Sequence, residues 1–122
     1  MANDLEQLQL EIQKTCDTFK TITDEMYTIF IKKQSMYGLT NVSLSGDMEK
    51  YEDRKMALLG LWFRMNDKIQ RIQNILKKDF KDDDIKFESL EDTYMDLANY
   101  AIISLLVKKE VWGKWAGRLN AI

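Results

Sequence analysis

The chain has 122 residues, 45% of them apolar and 31% charged, and a formal net charge of −2. This is the composition of one globular domain, here spanning residues 1–122, and it lacks the basic surplus of a general duplex nucleic-acid binder. The chain has no histidine and one cysteine, which excludes a Ser-His-Asp triad, an imidazole-based zinc site and an intramolecular disulfide.

The lack of histidine bears on ligands, and two further absences bear on location. Without imidazole, a bound metal would have oxygen ligands, so Mg²⁺ or Mn²⁺ comes first. The sequence contains no run of about 20 apolar residues and no signal-peptide pattern at its acidic, polar start. We therefore expect a cytoplasmic protein without a membrane partner.

The first predicted element is a long helix over residues 3–35. Proline is absent and glycine occurs only five times, which favours an all-α chain with few breaks. Apolar positions alternate spacings of three and four, which is a heptad pattern. They are Leu5, Leu8, Ile12, Thr15, Phe19, Ile22, Met26 and Ile29, continued by Lys33 and Met36. We expect this helix to pack along other helices and against another copy, giving a homo-oligomer.

Two more helices follow a predicted loop at residues 36–47. The second covers about 48–78, with an apolar face of Leu58, Leu61, Trp62, Met65, Ile69, Ile72, Ile75 and Leu76. After a charged connection at 79–87, the third covers 88–110, with Ser89 and Asp92 as an N-cap pair. Its predicted core face is Leu90, Tyr94, Leu97, Ala101 and Leu105. In the tail, two glycines argue against a helix, and Trp112 and Trp115 are expected to fold back on the bundle or to join a subunit interface.

Polar side chains form one stripe on each of these two helices. On the third helix a sector of about 80° opposite the predicted core face holds Glu88, Asp92, Asp96 and Asn99. On the second helix one stripe holds Arg64, Asp67, Arg71 and Asn74, with Lys68 at its border. Acids four residues apart repel each other. Either a divalent cation or the arginines of the second helix would relieve that repulsion, and both alternatives stay open.

A lysine also precedes a glycine turn near the end of the first helix. Lys33 and Tyr37 stand just before Gly38, and a cation beside such a turn suits a phosphate. The alternative, which we favour on these residues alone, is a helix C-terminus with a cation at its favourable end.

Three segments, "KKQSMYG", "FRMNDKIQRIQNIL" and "ESLEDTYMDLANYAII", resemble the nucleotide modification associated domain family, small helical proteins frequent in bacteriophages and bacteria. The resemblance covers about residues 30–105 and leaves 106–122 as a Trp- and Lys-rich extension. That family is in turn similar to the MazG-type all-α nucleoside triphosphate pyrophosphohydrolases, which hold Mg²⁺ with an E-E-x-x-E helix and an E-x-x-D helix. This chain departs from the first of these motifs, since Asp67 is the sole acid between Arg64 and Arg71.

The resemblance implies a MazG-like helical bundle that binds a nucleotide. One hypothesis is a Mg²⁺-dependent (d)NTP pyrophosphohydrolase with Asp92 and Glu88 as catalytic residues and with Glu88, Asp92, Asp96 and Asp67 as metal ligands. The phosphates or base would contact Lys33, Tyr37, Arg64, Lys68, Arg71 and Asn99. The alternatives are a non-catalytic binder that sequesters a nucleotide immune signal, such as a cyclic oligonucleotide, in phage anti-defence, and a structural helical oligomer.

Overall fold

The computed structural model describes residues 2–37, 42, 46–78 and 90–113, without the side chains of residues 2 and 35–37. These residues form three helices and no strand: α1 (Ala2–Tyr37), α2 (Tyr51–Lys77) and α3 (Leu90–Lys108). The predicted all-α fold class is confirmed, and each helix end lies within three residues of its predicted position. Within the described residues, no helix is both long and apolar enough to cross a bilayer.

The chain divides into two compact units, Met1–Ser35 and Met36–Ile122. The prediction of one domain over residues 1–122 stays a prediction. In the first unit, α1 is one continuous helix whose surface carries contacts one turn apart. Examples are the hydrogen bond from Gln13 Nε2 to Asp17 Oδ1 at 2.8 Å and the ion pair between Lys20 Nζ and Asp24 Oδ2 at 3.0 Å. Such contacts stabilise an exposed helix by a few tenths of a kcal/mol each.

In the second unit, α2 and α3 form an antiparallel pair whose register is set by two ion pairs. Arg54 Nη1 lies 3.2 Å from Glu110 Oε1, and Lys68 Nζ lies 3.1 Å from Asp96 Oδ2. Lys68 is 14 residues after Arg54 and Asp96 is 14 residues before Glu110, so the register is the same at both places. In that register Leu61 lies level with Ile103 and Ala57 with Val107, and all four side chains are buried.

The predicted core faces are only partly correct. On α2, Leu61 and Ile75 are buried as predicted, whereas Trp62, Ile69 and Leu76 are about half exposed or more. On α3 the prediction is wrong for three of its five residues, because the exposed side includes Tyr94, Ala101 and Leu105. The buried residues of α3 are Thr93, Met95, Ile103 and Val107.

The core face of α3 was predicted wrongly because of the composition of this helix. From Leu97 to Val107 nearly every side of the helix carries an apolar side chain, so periodicity cannot select one face. The predicted core face lay opposite the side with Asp96. The structure turns that side toward α2, where Lys68 compensates the carboxylate. Beyond α3, Trp112 is buried, in line with a tryptophan folded back on the protein, and Trp115 lies outside the described residues.

The exit from α3 is a Schellman motif. The N–H of Val111 donates to the carbonyl of Leu106 at 3.1 Å, and the N–H of Glu110 donates to the carbonyl of Val107 at 3.0 Å. Glu110 has a φ of 63°, the left-handed conformation for which this position normally takes glycine. Its carboxylate contacts Arg54, whose Nη1 also donates to the carbonyls of Met48 and Glu49 at 3.0 and 2.8 Å. One guanidinium thus joins the entry to α2 with the exit from α3.

Glu110→Gly and Glu110→Ala should separate the backbone strain at this position from the ion pair. Both variants lose the contact with Arg54, but only alanine keeps a Cβ in the left-handed region, which costs about 1–2 kcal/mol. We expect Glu110→Gly to be about 1 kcal/mol more stable than Glu110→Ala in urea unfolding. Equal stability of the two variants would contradict the left-handed backbone.

Candidate functional site

The centre of the candidate site is the ion pair between α2 and α3. Lys68 and Asp96 are 3.1 Å apart, and their side chains are only 21% and 19% exposed. Neither residue is in a helix end, so the helix dipole explains neither charge. Two opposite charges have therefore been withdrawn from much of their water and placed in the middle of a helix–helix interface.

Further cations and polar groups of this interface lie on either side of the pair. In the same register Arg71 lies level with Thr93 and Arg64 lies level with Tyr100. Thr93 is completely buried, the Nε atom of Arg71 is buried, and Arg64 is half-buried. Arg64, Arg71 and Thr93 all take part in polar or charge interactions. We call Arg64, Lys68 and Arg71 the cation row, and this row lies along the α2–α3 interface.

The structure brings together part of the predicted site. Lys68 and Asp96 are in contact, and Asn99 is half-buried on the same helix as Asp96. Asp67 and Asp92 are exposed, with Asp92 one helical turn before Asp96. At the level of Lys68 the two stripes are closed against each other, because there the acid and the cation touch. This contact relieves the repulsion between the acids by a cation of the second helix, although the cation is Lys68 and not one of the arginines.

Three predicted site residues are not among the described side chains of α2 and α3. Glu88 lies outside the described residues. Lys33 is half-buried in the last turns of α1, and Tyr37 is the last residue of that helix, with its side chain outside the described part. Their assignment to a nucleotide site stays a prediction.

A metal centre held by protein side chains alone needs several converging acids. Within the described ranges no group of three or more aspartate, glutamate, cysteine or histidine residues is arranged to hold an ion. The predicted set also includes Glu88, so the magnesium site stays a prediction. Of its remaining members, Asp96 is neutralised by Lys68.

Arg54, Glu110 and Thr93 belong to the α2–α3 interface but were not among the predicted site residues. One signal was present, because the 14-residue spacing from Arg54 to Lys68 recurs between Asp96 and Glu110. On two antiparallel helices, equal spacings of opposite charges allow both pairs to form in one register. Thr93 gave no such signal, since a threonine between Asp92 and Tyr94 looks like an ordinary surface residue.

The fold and site together define an antiparallel pair of helices with a half-buried, charged interface. Residues 54–107 of this pair match the family model described as nucleotide modification associated domain 1. The match runs from the first turn of α2 to the last turn of α3, so the predicted resemblance is confirmed for this segment. The "KKQSMYG" element at residues 32–38 lies outside it. Comparisons with curated proteins and with solved structures gave no significant match.

Proposed function

We propose that the α2–α3 pair binds a nucleotide through its phosphates, with the cation row as the binding element. The observation that carries this proposal is the Lys68–Asp96 pair, held at 3.1 Å with about four-fifths of each side chain buried. A carboxylate already occupies the place that an anionic phosphate oxygen would take beside the ammonium. The match of the same segment to a family described by nucleotide modification supports a nucleotide as the source of that phosphate.

Folding alone gives little reason for this ion pair. Burying two charges costs several kcal/mol per ion, and apolar replacements at such places are often neutral or stabilising. The same interface is apolar where Leu61 lies level with Ile103. An apolar pair could therefore fill this place in the interface. Binding of a ligand explains the charged pair better than folding stability does.

Binding would proceed by exchange of anions. A phosphate displaces Asp96 from Lys68, while Arg64 and Arg71 on the neighbouring turns donate to other oxygens, for which the planar guanidinium is well shaped. Interactions of this kind weaken with added salt, since exposed parts of the phosphate are screened.

A nucleotide screen by thermal shift and mass spectrometry, with and without Mg²⁺, tests the proposal. Nucleoside triphosphates, deoxynucleotides and cyclic oligonucleotides form the panel, and at least one should raise the melting temperature. Arg64→Gln should weaken binding about tenfold, the loss of about 1.4 kcal/mol expected for one charge-assisted hydrogen bond. Lys55→Gln removes the same charge from an exposed position near the start of α2 and should leave the affinity unchanged. No shift with any compound, or equal losses in both variants, would end the proposal.

A Mg²⁺-dependent pyrophosphohydrolase is the second candidate function. It is favoured by Asp92, an exposed carboxylate one turn from Asp96 on the same face of α3. Proteins commonly hold Mg²⁺ with one or two carboxylates plus the phosphates of the substrate, so this pair fits such an ion, which when bound stabilises charge on the phosphates and acidifies water. Arg64 and Arg71 would orient the phosphates. In the same screen this function predicts Mg²⁺-dependent release of pyrophosphate, whereas recovery of intact nucleotide supports binding or sequestration.

A further inference from the structure

The first part of α1 carries a stripe of exposed apolar side chains. Leu5, Leu8, Ile12, Phe19 and Ile22 follow the heptad pattern, and their side chains are 43–69% exposed. From Leu5 to Ile22 the stripe is about 26 Å long at 1.5 Å per residue. Between these residues only Thr15 interrupts the apolar sequence. We call these six residues the α1 stripe.

We propose that the α1 stripe pairs with the α1 stripe of a second copy as an antiparallel coiled coil. The stripe is narrow, with two apolar positions in each heptad. Such a stripe packs along its whole length only against a helix with the same heptad repeat. The side chains of each helix then fit between those of the other. A second copy of α1 has that period by definition. This inference goes beyond the proposed nucleotide site and does not depend on it.

The charges beside the stripe set the orientation. The first half, residues 3–13, carries Asp4, Glu6 and Glu11 and no cation, whereas residues 14–22 carry Lys14 and Lys20 with one acid, Asp17. A parallel pair places the two acidic halves side by side. An antiparallel pair places each acidic half along the half with two lysines, and charge complementarity of this kind selects orientation.

The antiparallel arrangement also matches the stripe residue by residue. With the centre between residues 13 and 14, Leu5 lies level with Ile22 of the second copy and Leu8 lies level with Phe19 of the second copy. The smallest residue of the stripe, Thr15, lies level with Ile12 of the second copy. Every apolar side chain of the stripe then faces another helix instead of water.

Light scattering on purified protein tests the interface. The wild-type chain should be a dimer, and Ile12→Lys should raise the dissociation constant at least tenfold by placing a charge in the seam. Leu10→Lys is the matched control, because Leu10 is 66% exposed on the same helix but outside the stripe, and this variant should remain a dimer. Both positions are exposed, so circular dichroism should show full helix content in both variants. A monomeric wild type, or a dimer that Ile12→Lys leaves intact, overturns the proposal.

Disulfide formation tests the orientation. In a Cys16→Ser background, which has no other thiol, Leu5→Cys and Ile22→Cys are made as separate variants and mixed under mild oxidation. An antiparallel pair gives a disulfide between the two different variants and little within either one. Because the two positions are about 26 Å apart along one helix, a parallel pair gives disulfides only within each variant. That second result would exclude the antiparallel coiled coil.

Discussion

Asp96→Asn is expected to tighten the binding of a nucleoside triphosphate about tenfold. The substitution keeps the shape of the side chain but removes the negative charge that lies 3.1 Å from Lys68. The phosphate then no longer competes with a carboxylate and meets no repulsion from it. By Coulomb's law, a unit charge some 6 Å away contributes about 0.7 kcal/mol in bulk water and about 3 kcal/mol at the effective dielectric of a protein surface. For this partly exposed site we take a value between the two, about 1.4 kcal/mol, which corresponds to about tenfold in affinity.

The control is Glu91→Gln, which changes the net charge of the protein by the same amount. Glu91 is exposed on α3 and points away from Asp96, because five residues rotate a helix by about 140° from its starting face. Isothermal titration with the nucleotide found in the screen should show the gain for Asp96→Asn alone. A hydrolase that uses Asp96 to hold Mg²⁺ predicts the opposite result, namely loss of pyrophosphate release in Asp96→Asn.

Leu61→Ala should remove 2–5 kcal/mol from the free energy of unfolding, the range for leucine truncation in a core. Leu61 is 1% exposed and lies level with Ile103, which is 8% exposed. A domain of this size is stable by about 5–15 kcal/mol in total, so one such cavity consumes a large part of it. Urea unfolding followed by circular dichroism measures the loss.

Leu59→Ala is the matched control, because Leu59 is two residues away on α2 and 47% exposed. Its truncation should cost less than 1 kcal/mol, as for most surface substitutions. If both variants lose the same stability, then the outer face of α2 is covered in solution, and the burial seen in the single chain is incomplete.

The helices themselves were predictable from the sequence, and the reasons are local. Heptad spacing from Leu5 onward and the lack of proline determined α1 to within two residues at each end. The orientation of α3 was not predictable in the same way. Periodicity places Tyr94 and Leu105 in the predicted core face, opposite the acids of α3. This prediction fails because a cation on the neighbouring helix compensates Asp96 and lets the acidic side face α2.

The residues of the candidate site could be predicted from the sequence, but their arrangement in space could not. The stripes containing Lys68 and Asp96 were identified from spacing along each helix, which is a property of one segment. Whether the two stripes face each other depends on how α3 is rotated about its axis, and that is decided by all of its contacts at once. The sequence also gave no means of telling contact from a gap, so pairing of the acids with cations of α2 was only one of two open alternatives, and Lys68 was not named as the partner of Asp96.

The equal spacing of the two ion pairs has a consequence for the register of α3 against α2. Sliding α3 by one turn would let Lys68 pair with Asp92 in place of Asp96. The ion pair of Lys68 alone is therefore compatible with two registers of the helices. In the slid arrangement Arg54 would lie level with Leu106, whose side chain has no charge or acceptor for the guanidinium. The ion pair between Arg54 and Glu110 would then be lost. The pair of Arg54 with Glu110 therefore fixes the register of the two helices. If a nucleotide separates Lys68 from Asp96 as proposed, we expect the α2–α3 interface to widen at that place while the pair of Arg54 with Glu110 keeps the register.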